Sequence, residues 1–520
     1  ILLPRWLYFN LYEISSWSRA IVVPLSVVCA LRPERPLPAG QGVAELRVET
    51  PARPAGRPGP SGADGHRPRL GSAAHFWRGF FLLLDRGLKL GEKMRLTPLR
   101  RRALARAGEW IAERLVDSDG LGAIFPPIVN TIFALRCLGY PQDHPLVAAQ
   151  VAELERLGIE DKDGSLRIQP CFSSVWDTAL AVHALADSGL SARDPALARA
   201  LRWLLEREIR QGGDWSVKAP GAAPGGWCFE YRNPFYPDCD DTAEVLTALA
   251  GSGSAAGEPA VRRGAAWLLA MQNADGGWGA FDRACDKEIL TYVPFADHNA
   301  LLDPSTADVT GRVLDCLGRL GMGAAQPEVA RGLAWLRAQQ EEDGSWYGRW
   351  GCNYIYGTWL ALRGLARYGE IAREPWCRKA AAWVVSCQNP DGGWGESPLS
   401  YDDPSQKGRG ESTAAQTAWA LMALFGAGMV EGAVVERGIE FLVRAQRRDG
   451  SWRDEPWTAT GFPRVFYLRY HLYATYFPLM ALAEYQRETE RLRRGRDPLP
   501  QALSFPLEVG ARRPDEGAAR

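Results

Sequence analysis

Four times between Gln272 and Trp452 the chain repeats one phrase, Q-x-x-x-G-x-W: QNADGGW from Gln272, QEEDGSW from Gln340, QNPDGGW from Gln388 and QRRDGSW from Gln446. Repetition at this stringency restricts the fold to stacked copies of one unit. Each phrase holds an Asp-Gly turn, which stops a helix, and then an indole that can lie on the Gln amide and must place its N–H on an acceptor. We read the four phrases as structural clasps rather than catalytic groups.

Between the phrases runs a second recurrence: an apolar helix with an early Thr, a later Ala-Leu and a Gly stop. NTIFALRCLG, DTALAVHALADSG, DTAEVLTALAGSG, DVTGRVLDCLG, GTWLALRGLARYG and QTAWALMALFGAG place these residues at Thr131, Thr178, Thr242, Thr310, Thr358 and Thr417. Their spacing of about 47 to 68 residues fits paired inner and outer helices, which close into an α/α toroid or run on as a solenoid. A chain of 520 residues is long enough for two such units, or one large one, and can enclose a cavity.

Charge and cysteine usage exclude several classes. Lys plus Arg and Asp plus Glu both number 61, and no long basic run is flanked by aromatics, which argues against nucleic acid as a partner. The ten Cys are scattered singly, without a C-x-x-C pair, which reads as reduced thiols rather than disulfides or a zinc ribbon. The longest apolar run, Ala20 to Leu31, is too short to span a bilayer and contains Pro24. Residues 38–74 are rich in Pro, Gly and Arg and read as a loop or disordered insert. Residues 75–93 mix Phe76, Trp77, Phe80, Phe81, Leu84 and Leu88 with Arg and Lys, which suits either an interfacial amphipathic helix or one packed on the core. From Arg487 the periodicity fades into a charged tail, assigned as 486–520.

The sharpest chemical feature is YPDCDDTAE, where Asp238, Asp240 and Asp241 crowd the start of a helix. Carboxylates this close cannot all ionise at ordinary cost, so at least one should keep its proton. Three readings stand for the cluster: a helix N-cap, a Mg²⁺ site and a general acid. The preceding GGWCFEY supplies Trp227, Phe229 and Tyr231 instead of the Lys and Arg that a metal-bound diphosphate requires. A dry acid facing hydrocarbon accounts for this better. Twenty Trp, 17 Phe and 16 Tyr would line such a cavity, although any single aromatic is by default a core residue.

The Q-x-x-x-G-x-W phrases together with D-x-D-D-T-A resemble the bacterial squalene–hopene cyclases. PRWLYFNLYEISSWSRAIVVPLSVV, DGLGAIFPPIVNTI, SSVWDTALAVHAL, GRWGCNYIYGT and GFPRVFYLRYHLY each resemble a further segment of that family. The resemblance implies that Asp240 protonates a terminal double bond of squalene, supported by Asp238 and Asp241. It also implies that Asp308 and Arg312 hydrogen-bond this acid, where some members have His in place of Arg312; the plain alternative is a local i,i+4 ion pair. Protonation starts a cation that moves from ring to ring, and π faces stabilise it without reacting, by roughly 0.5 to 2 kcal/mol each when dry. By resemblance the lining comprises Trp17, Trp176, Phe229, Phe281, Trp350, Tyr356, Phe462, Phe466, Tyr470 and Tyr473, with Phe125 at the terminating end and Phe295 at the entrance channel.

The implied fold is all-α, with two α/α barrels. Residues 172–485 form one; residues 1–171 form an incomplete second, bearing the insert and a membrane-contacting helix at 75–93. The family's chain begins upstream of Ile1, so this one is expected to be a fragment. Squalene is the implied substrate and the cytoplasmic face of a bacterial membrane the implied location, by monotopic contact. A homodimer is left open, and neither metal nor organic cofactor is required. Class II diterpene cyclases share D-x-D-D but bind a diphosphate; prenyltransferase toroids need zinc ligands that the six His do not cluster to provide. A non-enzymatic lipid-binding scaffold would not need the intact acid.

Overall fold

The computed structural model describes residues 1–34, 36, 38, 72–94, 96–254, 257–294, 300–369 and 373–495. Their regular structure is helical apart from two short antiparallel hairpins, β1 (Gly158–Glu160) with β2 (Leu166–Ile168), and β3 (Ala459–Phe462) with β4 (Phe466–Leu468).

Six helices form a closed ring: α6 (Ser174–Asp187), α8 (Cys239–Gly251), α10 (Ala307–Arg319), α12 (Tyr354–Ala366), α14 (Ala414–Gly426) and α16 (Tyr473–Arg493). Each packs on the next, and α16 returns to α6. Every residue of α10, α12 and α14 is buried, because outer helices cover one face and the barrel interior the other. That is why α12 and α14 are apolar nearly all round, whereas α10 carries Asp308, Arg312, Asp315 and Arg319 among its buried residues. The outer helices α7 (Pro195–Leu205), α9 (Glu258–Met271), α11 (Pro327–Ala338), α13 (Pro375–Ser386) and α15 (Ala433–Ala445) each back an inner partner. The first four carry Pro in their first turn, where its missing N–H costs nothing.

The repeated phrase is the rivet of this assembly. Each indole N–H donates to a carbonyl of the outer helix that precedes it: Trp278 to Leu268, Trp346 to Leu336, Trp394 to Val384 and Trp452 to Leu442, at 2.7–2.8 Å. In three copies the Trp amide N–H donates to the recurrent Thr of the following inner helix, Thr310, Thr358 or Thr417. The Gln side chains of Gln272, Gln340 and Gln388 donate onward to the first turn of the next outer helix, at Glu328, Trp376 and Val434. The first three clasps thus each bind three helices through polar groups that burial would otherwise penalise, while the fourth holds only its own outer helix and turn. The turn requires glycine: Gly276 has φ +98, and a Cβ there would sit 2.7 Å from the Arg331 carbonyl oxygen.

A second group packs beside the ring: α1 (Ser16–Leu31), α3 (Arg100–Arg114), α4 (Phe125–Cys137) and α5 (Pro145–Arg156). Thr131, which shares the recurrent pattern, lies here in α4. Buried ion pairs fasten the group to the ring segments, with Arg19 between Asp214 at 2.9 Å and Asp282 at 2.7 Å, and Arg114 also on Asp214. Such pairs fix geometry more than they add stability.

Helix α2 (Ser72–Lys93) buries Phe81 against Phe9, while Phe76, Leu83 and Leu88 stand 65, 69 and 64% exposed. It is therefore not a core helix. No helix among the described residues is long and apolar enough to cross a membrane. The stretch read as an insert, 38–74, lies outside the described residues except for Pro38 and the backbone of 72–74, which opens α2. The expected tail is shorter than the sequence suggests. Helix α16 continues to Arg493, because Glu488 is buried and Arg487 bonds Asp187 in α6; the rest of the tail, 496–520, lies outside the described residues.

Candidate active site

The three acids sit where the chain enters α8. Asp238 is the N-cap, its Oδ1 accepting the Asp241 N–H at 2.7 Å, so the cap reading belongs to the first acid alone. Asp240 and Asp241 fall in the first turn. Burial pushes the Asp238 carboxyl well above the ordinary carboxylate range; burial and then the facing Asp238 charge do the same to Asp241. The two cannot both ionise and act as a pair that retains a proton. Asp240 differs because it has a cation. Burial raises it, but Arg312 Nε donates to its Oδ1 at 2.6 Å and limits the rise to about 6.

Arg312 projects from α10 and is fully engaged. Its other guanidinium nitrogens donate to Glu244 Oε2 at 2.6 Å and to the Tyr356 hydroxyl at 3.1 Å, and its carbon lies 4.8 Å from the Trp176 ring centroid. Asp308, one turn earlier, forms neither the expected bond to Asp240 nor an i,i+4 pair with Arg312. Its Oδ2 accepts the N–H groups of Arg349 and Trp350 at 2.7 and 2.8 Å. The reason is position: Asp308 lies in the first turn of α10, beside the 349–350 strand of chain, while Arg312 reaches across to α8.

All three acids and all ten anticipated aromatics line one cavity, with about 1140 Å³ of empty space at and inside its mouth. Its wall is almost wholly apolar. Trp17, from α1, meets Phe281 and Trp350 edge to face at 5.6 and 5.7 Å; Phe229 meets Tyr470 at 6.1 Å, and Tyr470 stacks on Tyr473 at 4.6 Å. Indole N–H groups are satisfied at the wall, Trp17 on the Ala300 carbonyl and Trp176 on the Tyr473 hydroxyl. Phe462 and Phe466 come from the β3–β4 hairpin, with ring centroids 5.3 Å apart. Gly461, within β3, leaves no room for a side chain, because a Cβ there would strike the Phe466 ring. Phe125 lines an adjoining cavity that shares Pro126, Pro170 and Cys171 with the first. Phe295 lies outside the described residues.

Several groups escaped the sequence reading. Glu244 follows one turn after Asp240, and its Oε1 lies 2.6 Å from His183 Nδ1 of α6. Burial alone would raise Glu244, but His183 and Arg312 overcome it and hold it down to about 2. Glu230 lines the cavity and is pushed up to about 8 by burial. Trp227 is a clasp without the Gln: its amide donates to Thr242 and its indole to Leu204. The i,i+4 spacing of Asp240 and Glu244 was visible in the sequence; the cross-helix His183 was not.

The family described as squalene-hopene cyclase N-terminal domain matches residues 1–163, and squalene-hopene cyclase C-terminal domain matches 172–487. Relatives named squalene–hopene cyclase are 43% identical in Bradyrhizobium diazoefficiens over 94% of this chain and 73% of that one. In Alicyclobacillus acidocaldarius the identity is 43% over 93% and 74%, and in Schizosaccharomyces japonicus 42% over 94% and 74%. Among solved structures, a type II terpene cyclase from Scytonema aligns at TM-score 0.42 and 19% identity over 64% of this chain and 92% of that one, too distant to add weight. Profile matches along nearly the whole length, together with the clasps and the acid-bearing aromatic cavity, establish that the chain belongs to the squalene–hopene cyclase family.

Proposed function

We propose that this chain cyclises squalene to a pentacyclic hopanoid, with Asp240 as the acid. The observation that carries this is a carboxyl that burial disposes to hold its proton, backed by a buried guanidinium, in the wall of a largely aromatic cavity. Of the three acids, Asp240 is the one whose conjugate base has a counter-ion. Losing the proton from Asp238 or Asp241 would strand a charge in a dry wall, whereas the Asp240 carboxylate is left on Arg312.

The chemistry then needs no further reagent. The Asp240 carboxyl gives its proton to a terminal alkene carbon, and the π electrons of each next double bond close a ring while the positive charge moves on. The last cation loses a proton, giving hopene, or takes water, giving hopanol. Trp350, held by Asp308 through its backbone, and the hairpin pair Phe462 and Phe466 present π faces that lower the energy of each cation. The Asp238–Asp241 pair keeps a proton and so adds little negative charge that could quench the cation. Phe125 belongs to the terminating end. The exposed apolar side chains of α2 suit monotopic contact with a membrane, from which an insoluble hydrocarbon would be drawn.

The test is product analysis by gas chromatography and mass spectrometry after detergent-solubilised protein is incubated with squalene. Pentacyclic product supports the reading, and recovery of unreacted squalene alone contradicts it.

A further inference from the structure

We propose that Glu244 is a positioning residue that sets the strength of the acid: its carboxylate offsets the Arg312 charge, so that Asp240 holds its proton more tightly than it would beside an unshared guanidinium. This rests on the assignment of Asp240 as the proton donor. The geometry is a chain of four groups from three helices. His183 Nδ1 lies 2.6 Å from Glu244 Oε1, Arg312 donates to Glu244 Oε2 at 2.6 Å, and the same guanidinium donates to Asp240 at 2.6 Å. All four side chains are sequestered inside the ring, where charges act with little screening.

An arginine beside the acid creates a chemical problem. Its guanidinium is permanently charged, and it stabilises the carboxylate form of Asp240, weakening its hold on the proton the reaction needs. A second carboxylate on the same guanidinium divides that attraction. Glu244 is able to do so because it is itself ionised throughout the working range. Its surroundings support this. From α6 it meets His183 and, beyond it, Asp187; from α10, Arg312 and the charge of Arg319, with Asp315 beside them; from α12, Tyr356 bonds Arg312 and Arg363 pairs with Asp315. Asp240 for its part faces Asp238, Asp241 and Glu244 on its own helix, Asp308 and Arg312 on α10, and Tyr356 on α12.

Glu244→Gln keeps the shape and the bond from Arg312 while removing the charge. One unit charge at the far side of a guanidinium is worth roughly one to two pH units to its neighbour at an effective dielectric near 20. The experiment is the initial rate of squalene cyclisation against pH for wild type and Glu244→Gln, with Glu244→Asp as the charge-retaining control. The wild-type rate should fall as pH rises through the Asp240 midpoint. In Glu244→Gln that limb should move to lower pH by about one to two units, cutting the neutral-pH rate by ~10- to 100-fold and restoring it at acid pH; Glu244→Asp should return the limb towards wild type. A uniform loss at every pH, or an unmoved limb, overturns the proposal and leaves Glu244 a structural residue. If wild type forms no product, the proposed function fails. The Asp240 midpoint is then read by infrared difference against Asp240→Asn: a lower midpoint in Glu244→Gln upholds the electrostatic role, and equal midpoints refute it.

Discussion

Replacing Trp346 by Phe is the most informative cut into the clasp. Trp346 is fully buried; its indole N–H bonds the Leu336 carbonyl at 2.8 Å, and its amide is fixed by Thr358. Phe keeps the backbone bond and most of the ring stacking but loses the indole bond, leaving the Leu336 carbonyl with the Gln339 N–H alone, at about 0.5–1.5 kcal/mol, and loses buried ring atoms worth about 1–2 kcal/mol more. If the barrel of about 300 residues unfolds as a unit, 1 kcal/mol moves its midpoint by roughly 1.5 °C, so a fall of about 2–5 °C is expected. Melting followed by circular dichroism reads this directly. The control is Trp457→Phe, because that ring is 50% exposed and belongs to no clasp; it should cost no more than about 0.5 kcal/mol. Equal shifts for the two variants would refute the idea that indole hydrogen bonds rivet the repeats.

Three further outcomes follow from the site. Since burial raises Asp240 to about 6, above the value of an exposed carboxyl, its protonated form is complete well below pH 6 and lost above it; the cyclisation rate should be level at acid pH and fall about tenfold per unit above the midpoint in a pH–rate profile. Phe466→Ala removes one π face and should slow turnover by roughly 2- to 30-fold while releasing partly cyclised products, detected by mass spectrometry. Phe76→Glu combined with Leu83→Glu, both on exposed positions of α2, should abolish co-sedimentation with phospholipid vesicles while leaving the melting midpoint within about 0.5 kcal/mol of wild type.

The repeats were legible because their chemistry is local. Asp-Gly turns and Thr-led apolar helices declare themselves within a few residues, while the choice between a closed ring and an open solenoid came from the family resemblance. The aromatic set was legible through resemblance rather than periodicity, since nothing in the spacing of Trp17, Trp176 and Phe466 shows that α1, α6 and a hairpin meet at one wall. What escaped depended on long-range partners. His183 finds Glu244 across 61 residues, and Asp308 turns to the backbone of residues 349 and 350 because of where α10 begins. The hairpin carrying Phe462 and Phe466 was hidden by a sequence that otherwise reads as helical throughout. The last helix outran its periodicity because Arg487 and Glu488 find buried or paired sites on the ring.

The most direct test of Asp240 as proton donor is cyclisation of squalene in D₂O, with mass spectrometry of the product. An acid equilibrated with solvent delivers one non-exchangeable deuterium to the first ring, so the wild-type product should be one mass unit heavier, and Asp240→Asn should give no product. A pentacyclic product without deuterium, or one still formed by Asp240→Asn at a comparable rate, would contradict the account.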